Sequence, residues 1–307
     1  MTTRDVAAPS VARAWLLASR PRTLPAAIGP VLVGIGVGLA QGSLDALLAA
    51  ACLLVALLLQ VAANLANDLF DHRSGADAGD RLGPQRAAAS GILSERALAA
   101  GTTLCLVAAG LVGLLLVAEG GIVLLVLGAL CMVAAVAYTG GPFPYGYRGL
   151  GEVAVFLTFG VLAVAGTAYL QTGAWTALAL VASVPPGCLV TAILVVNNLR
   201  DIGPDQRARK VTLAVRYGAR FARLEYLALM ATACVVPCLL LLMGATNVSV
   251  LLPLATIPAM VPLAREVLAD GDPRRLNAVL AGTARVGLAF CALFALGLAL
   301  DDVVRWP

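Results

Sequence analysis

Two clusters of amide and carboxylate side chains set the chemistry open to this sequence. Asn64, Asn67, Asp68 and Asp71 stand at i, i+3, i+4 and i+7, and Asn197, Asp201 and Asp205 at i, i+4 and i+8. Residues so spaced share one face of a helix, so each cluster predicts a polar stripe down one side of a helix end. Both contain Asn-x-x-x-Asp, and the second pair lies 130 residues beyond the first. The first stripe begins inside an apolar run, where ionisable groups are costly and mark function. Oxygen ligands drawn from two helices suit a hard divalent cation. Mg2+ takes carboxylate and amide oxygens, keeps waters and bridges to substrate phosphates. Arg81, Arg86, Arg200, Arg209 and Lys210 lie alongside and could hold the same phosphates directly.

The elements that must position these groups are membrane spans. Of 307 residues, 61% are hydrophobic and 12% charged, against about 25% charged in an ordinary soluble domain. That excludes a disordered chain, a basic nucleic-acid-binding domain and an ordinary cytosolic enzyme. The expected partner over most of the surface is membrane lipid, with no nucleic acid. Apolar runs long enough to span occur at 24–42, 45–67, 97–118, 120–140, 150–171, 176–198, 222–244, 247–264 and 280–300. The fold class is therefore all-α, a polytopic bundle of nine transmembrane helices forming one integral domain over 1–307.

The linkers alternate between short and long. Of the 21 Lys and Arg residues, all but Arg305 sit at the N-terminus, in the long linkers or within the first six residues of a span that follows one. The positive-inside rule then puts the N-terminus and long loops in the cytoplasm, the C-terminus outside, and requires an odd number of spans. The chain lies in the cell membrane with its acidic clusters towards the cytoplasm. The first apolar run is too long for a signal peptide and reads as a retained span. All seven cysteines lie in apolar runs without a CxxC pair, so they read as small buried hydrophobes. The single histidine, His72, excludes a His-rich metal site and reads as a loop residue rather than a base.

A carboxylate–Mg2+–diphosphate site facing a lipid-lined cavity points to a lipid diphosphate substrate. Several stretches carry a closer likeness. They are Arg20-Pro21-Arg22-Thr23-Leu24-Pro25, Asn64-Leu65-Ala66-Asn67-Asp68-Leu69-Phe70-Asp71, Tyr145-Gly146-Tyr147-Arg148-Gly149-Leu150-Gly151-Glu152, Asn197-Asn198-Leu199-Arg200-Asp201-Ile202 and Thr212-Leu213-Ala214-Val215-Arg216. Over residues 15–300 the sequence resembles the UbiA superfamily of intramembrane aromatic prenyltransferases. It is most similar to the branch acting on 1,4-dihydroxy-2-naphthoate in menaquinone synthesis.

The resemblance implies a nine-helix bundle. It implies a first acidic motif of Asn67, Asp71 and Asp77 with Asp68 alongside, and a second of Asp201 and Asp205. Together these six are the expected Mg2+ ligands. Asn67, Arg81, Arg200 and Lys210 are expected on the prenyl diphosphate. The family's usual Gly-Lys before Thr-Leu is Arg209-Lys210 here, which keeps the lysine and changes the turn.

Ionisation of the allylic C–O bond follows when Mg2+ and cations neutralise the leaving diphosphate. A water-poor cavity protects the cation, and Tyr138, Phe143, Tyr145, Tyr147 and Phe156 are candidates to face it. Arg22 and Arg148 are candidates to steer the acceptor carboxylate. Asp71, Asp201 and Lys210, with Tyr145, complete the expected catalytic set. In the family the naphthoate then loses carbon dioxide to give demethylmenaquinone. Residue chemistry alone leaves 4-hydroxybenzoate and homogentisate open as acceptors. A cation-coupled transporter is disfavoured, because the acidic groups lie at helix ends on one side and the two motifs run in the same direction.

Overall fold

The computed structural model describes residues 10–75, 82–84 and 86–301. Asp77 and Arg81, both expected at the site, lie outside the described residues. Helices begin where a polar side chain closes a linker. α1 (Val11–Ser19) opens on Ser10, and α2 (Pro25–Ala40) opens with its proline in the first turn, where a missing N–H costs nothing. The Asp45 carboxylate accepts from the Leu47 and Leu48 N–H groups at 2.8 and 2.9 Å and starts α3 (Ala46–Arg73). Ser94 does the same for α4 (Glu95–Ala137).

α5 (Gly151–Thr172) ends at Gly173 in the left-handed region. Thr176 caps α6 (Ala177–Arg200), and the short α7 (Ile202–Arg207) follows. Thr212 caps α8 (Leu213–Leu242), and α9 (Val248–Leu268) and α10 (Pro273–Ala299) complete the chain.

The core is built where α2, α5, α6, α8 and α10 meet. Val33, Val37, Val164, Leu189, Tyr226 and Phe290 are buried there. A smaller cluster of Ala14, Leu65, Leu69, Ala87 and Leu98 ties α1 and the segment before α4 to α3. Leu104, Leu111, Ile122, Leu130 and Val133 of α4 are exposed, as expected of a helix whose solvent is lipid.

Two breaks shape the cavity. α4 is 43 residues long, but Gly121 within it is not helical, with φ 66° and ψ −158°, a conformation that needs glycine. A side-chain atom placed at Gly110 would meet the Met132 methyl at 3.9 Å. Twenty-two residues of continuous helix would separate these positions by about 33 Å, so α4 doubles back at Gly121. In α5, Phe156–Leu162 widen into a π-helical turn. There Gly160 meets Gly187 of α6 so closely that a Cβ would stand 2.8 Å from the Gly187 Cα.

Among the described residues seven helices are long and apolar enough to cross a membrane. They become eight if the bent pair Val11–Thr23 and Pro25–Ala40 is one span. Several boundaries differ from the sequence reading, α10 beginning at Pro273 rather than 280 among them. α3 continues past 67 to Arg73, so the acidic cluster is carried on regular helix. α8 begins at Leu213 rather than 222, because Thr212 caps it and the charged first turns remain helical up to a break at Gly218.

Candidate active site

The ends of α3 and α6 face each other across a cavity of about 600 Å3 that extends between α2, α3, α4 and α5. Asn67 and Asp71 line it from one side, and Asn197, Asp201 and Asp205 from the other. Its deeper wall is apolar, with Val31, Cys52, Leu116, Leu124 and Leu170. One polar end and one long greasy end match an amphiphile with a charged head.

Among the described residues, each of the three carboxylates at the polar end has its own cation. Arg86 forms a buried ion pair with Asp71, and the Tyr147 hydroxyl donates to the other Asp71 oxygen at 2.7 Å. Arg200 holds Asp201 through Nε and Nη2. Lys210 lies 3.4 Å from Asp205. Burial pushes the Asp205 carboxyl up to about 6, with Lys210 opposing and Asp201 reinforcing the rise. Burial and the Asp71 charge both raise the Tyr147 phenol above its ordinary value, so it stays a hydrogen-bond donor. Lys210 also sits 5.7 Å over the Tyr147 ring, and Val211 N–H donates to the Tyr147 carbonyl at 3.0 Å. These contacts join the 145–147 turn to the lysine loop.

The stripes expected from spacing are split. Asn67 and Asp71 face the cavity, but Asp68 does not line it. Its carboxylate accepts from Ala87 and Ala88 N–H at 2.9 and 3.3 Å and is 1% exposed. Asp68, expected as a metal ligand, therefore anchors backbone. Neighbouring helix positions differ by about 100°, so 67 and 68 cannot face one cavity equally. The second cluster repeats the division: Asn197 lines the cavity, and Asn198 turns away to donate to Glu152 at 2.8 Å.

Three further expectations change. Arg200, expected on the diphosphate, is 3% exposed and off the cavity wall, bonded to Asn197, Asp201 and Asn277. Arg22 is exposed and does not line the cavity; Arg20, two residues earlier and with a left-handed φ of 51°, does. The turn at Arg20-Pro21 decides which arginine points inward, and spacing carries no sign of that. Arg148 is exposed over the Phe143 ring at 3.9 Å.

Lys210 and Tyr145 do line the cavity; the Tyr145 hydroxyl donates to Ala134 O at 2.8 Å, and its ring stands edge-on to Tyr138. Thr139, which donates to the Asn67 amide oxygen at 2.9 Å, and Arg207 on the cavity wall were not singled out from sequence. Arg207 could have been found as the cation two residues past Asp205.

The described residues fit a hard cation in their chemistry. Asp71, Asp201 and Asp205 supply carboxylate oxygens, Asn67 and Asn197 amide oxygens, and Asp205 Oδ2 is buried with no hydrogen-bond partner. No three His, Cys, Asp or Glu side chains among the described residues are grouped closely enough to hold a metal by themselves. Amide oxygens, waters and substrate oxygens would have to complete its coordination.

Known proteins resemble this chain in sequence and in fold. The UbiA prenyltransferase family matches residues 27–294. The chain is 37% identical to a 1,4-dihydroxy-2-naphthoate octaprenyltransferase of Escherichia coli strain K12, over 94% of this chain and 96% of that protein. It is 41% identical to one of Mycobacterium tuberculosis, over 74% and 78%. Among solved structures it matches the apo structure of a UbiA homolog from Aeropyrum pernix K1. That match has a TM-score of 0.67 at 16% identity, and covers 90% of this chain and 98% of that one. A UbiA homolog from Archaeoglobus fulgidus bound to GPP and Mg2+ matches with a TM-score of 0.64 at 17% identity, covering 93% and 99%. Fold, paired motifs and sequence converge, and the chain belongs to the UbiA prenyltransferase family.

Proposed function

We propose that this chain transfers a polyprenyl group from polyprenyl diphosphate to 1,4-dihydroxy-2-naphthoate. Carbon dioxide and diphosphate leave, and the immediate product is the hydroquinone, demethylmenaquinol, the reduced form of demethylmenaquinone. One observation carries the reading: both Asn-x-x-x-Asp motifs line the polar end of a single cavity whose far end is apolar. Naphthoate octaprenyltransferases at 37–41% identity favour that acceptor over 4-hydroxybenzoate.

Asp71, Asp201, Asp205, Asn67 and Asn197 would hold Mg2+, which when bound supplies charge neutralisation for the diphosphate. Asp77 remains a proposed ligand, and Arg81 a proposed diphosphate cation, from the family resemblance. Lys210, Arg86 and Arg207 line the same end and bind phosphate oxygens. The allylic C–O bond breaks, and its electron pair leaves with the diphosphate. The apolar walls keep water from the resulting allylic cation, while the Tyr138 and Tyr145 rings face it. The naphthol ring carbon that carries the carboxylate attacks. The C–carboxylate bond then breaks, and its pair restores the aromatic ring as carbon dioxide departs. Arg20 replaces Arg22 and Arg148 as the cation that steers the acceptor carboxylate.

The chain crosses the cell membrane nine times, counting α4 as two spans on either side of Gly121 and the bent pair Val11–Thr23 and Pro25–Ala40 as one. The basic asymmetry supports a cytoplasmic N-terminus, an external C-terminus and an active site opening to the cytoplasm. Purified protein given Mg2+, polyprenyl diphosphate and carboxyl-labelled naphthoate should release labelled carbon dioxide only with all three present. Prenylation of 4-hydroxybenzoate with the naphthoate untouched would overturn the acceptor assignment.

A further inference from the structure

A second cavity, of about 450 Å3, lies against the outside of the active-site wall, between the 199–207 segment, α8 and the turn from α9 to α10. Four arginines line it: Arg200, Arg207, Arg223 and Arg275. Two carboxylates answer them, and both are engaged. Glu266 lies 4.0 Å from Arg275, and Asp272 accepts from the Arg274 backbone N–H at 2.9 Å. Arg223 reaches Asp270 with Nη2, yet its Nε is buried with no hydrogen-bond partner. A buried guanidinium N–H without an acceptor is costly, and Arg223 lines the space that an anion would occupy.

Leu82, Pro204 and Arg207 line both cavities and form the partition between them. Arg200 bridges it chemically. Its Nε and Nη2 hold Asp201 and Asn197 on the active-site side, and its Nη1 holds Asn277, which donates to the Leu82 carbonyl at 2.8 Å.

We propose that this basic cavity is a second anion site, for a phosphate-type ligand, coupled to the active site through Arg200. Guanidinium groups around a partly enclosed space suit phosphate oxygens. Two sources share that chemistry: the inorganic diphosphate released by the reaction, and the headgroup of an acidic phospholipid. Occupancy pulls charge onto the outer face of Arg200 and loosens its hold on Asp201, so that a filled site alters turnover without blocking the prenyl diphosphate.

The test uses full-length protein in nanodiscs of zwitterionic lipid, with a saturating non-ionisable prenyl thiodiphosphate filling the active site. Labelled inorganic diphosphate should still bind at about one equivalent. In Arg223→Gln/Arg275→Gln that binding should weaken by about tenfold or more, as loss of charged hydrogen bonds implies. Arg223→Lys/Arg275→Lys, which retains the charge, should keep most of it and guards against a misfolded variant. If diphosphate shows no such binding, a turnover that responds to added phosphatidylglycerol in wild type, and not in the glutamine variant, assigns the site to a lipid headgroup. No residual diphosphate binding together with an equal phosphatidylglycerol response in both proteins overturns the proposal.

Discussion

The Tyr147 hydroxyl donates to Asp71 Oδ1 at 2.7 Å, across 76 residues of sequence. It fixes the rotamer of a carboxylate whose other oxygen faces Arg86. Tyr147→Phe removes that bond together with the 3.1 Å hydrogen bond between the Tyr147 and Ser74 hydroxyls, and a hydrogen bond to a charged group contributes about 1.5–3 kcal/mol. Turnover should fall roughly tenfold or more at saturating Mg2+. An unchanged rate would show that Asp71 is held without it.

Asp68 and Asp71 should separate cleanly. Asp71→Asn removes an anionic oxygen from the cavity while nearly keeping its shape. It should lose most activity and also some stability, because the buried Arg86 loses the charge it is paired with. Asp68→Ala should instead cost about 1.5–3 kcal/mol of stability through its lost bonds to Ala87 and Ala88, leaving the Mg2+ dependence of the folded enzyme unaltered. Thermal unfolding beside Mg2+ titrations of both variants would check this, and a shifted Mg2+ dependence in Asp68→Ala would return it to the metal site.

Arg20→Gln should raise the KM for the naphthoate and leave that for prenyl diphosphate nearly unchanged, because a charged hydrogen bond to the carboxylate is lost. Arg22→Gln should change neither. Steady-state kinetics on both substrates decides. Equal effects of the two substitutions would mean that charge near the cavity mouth, rather than placement, is what counts.

The turn at Gly121 should bring the two arms of α4 together. Cysteines at 110 and 132, in a background lacking the seven native ones, should cross-link with a short bifunctional maleimide. A continuous helix would hold them about 33 Å apart and out of reach. A cysteine at 205 should be labelled from the cytoplasm alone.

Spacing alone brought Asn67, Asp71, Asn197 and Asp201 into view, because the repeated Asn-x-x-x-Asp lies at the mouth of apolar runs. The same spacing misread Asp68, since the phase of a helix is set by what packs on its other side, here Ala87 and Ala88. Arg200 looked like a phosphate cation by proximity to Asp201, and its burial among Asn197, Asp201 and Asn277 depends on α10, far along the chain. An apolar count starts the span at 222, nine residues after the helix begins, because charged residues hide a helix start from it, although Thr212 is a legible cap.

The pairing of each active-site carboxylate with a basic side chain has a consequence for how the substrate arrives. Asp71 with Arg86, Asp201 with Arg200 and Asp205 with Lys210 make a locally neutral set at the membrane face. Buried charges left single are strongly destabilising, whereas matched ones are tolerated. A magnesium diphosphate headgroup brings positive and negative charge together. It could therefore enter by partner exchange, the carboxylates turning to its metal as its phosphates take Arg86 and Lys210, while Arg200 stays bonded to Asn197 and Asn277. The site would then work as an ion exchanger: its net charge stays nearly constant while the Arg86 and Lys210 contacts are exchanged, and the electrostatic cost of binding is spread over swaps rather than concentrated in the stripping of a bare anion.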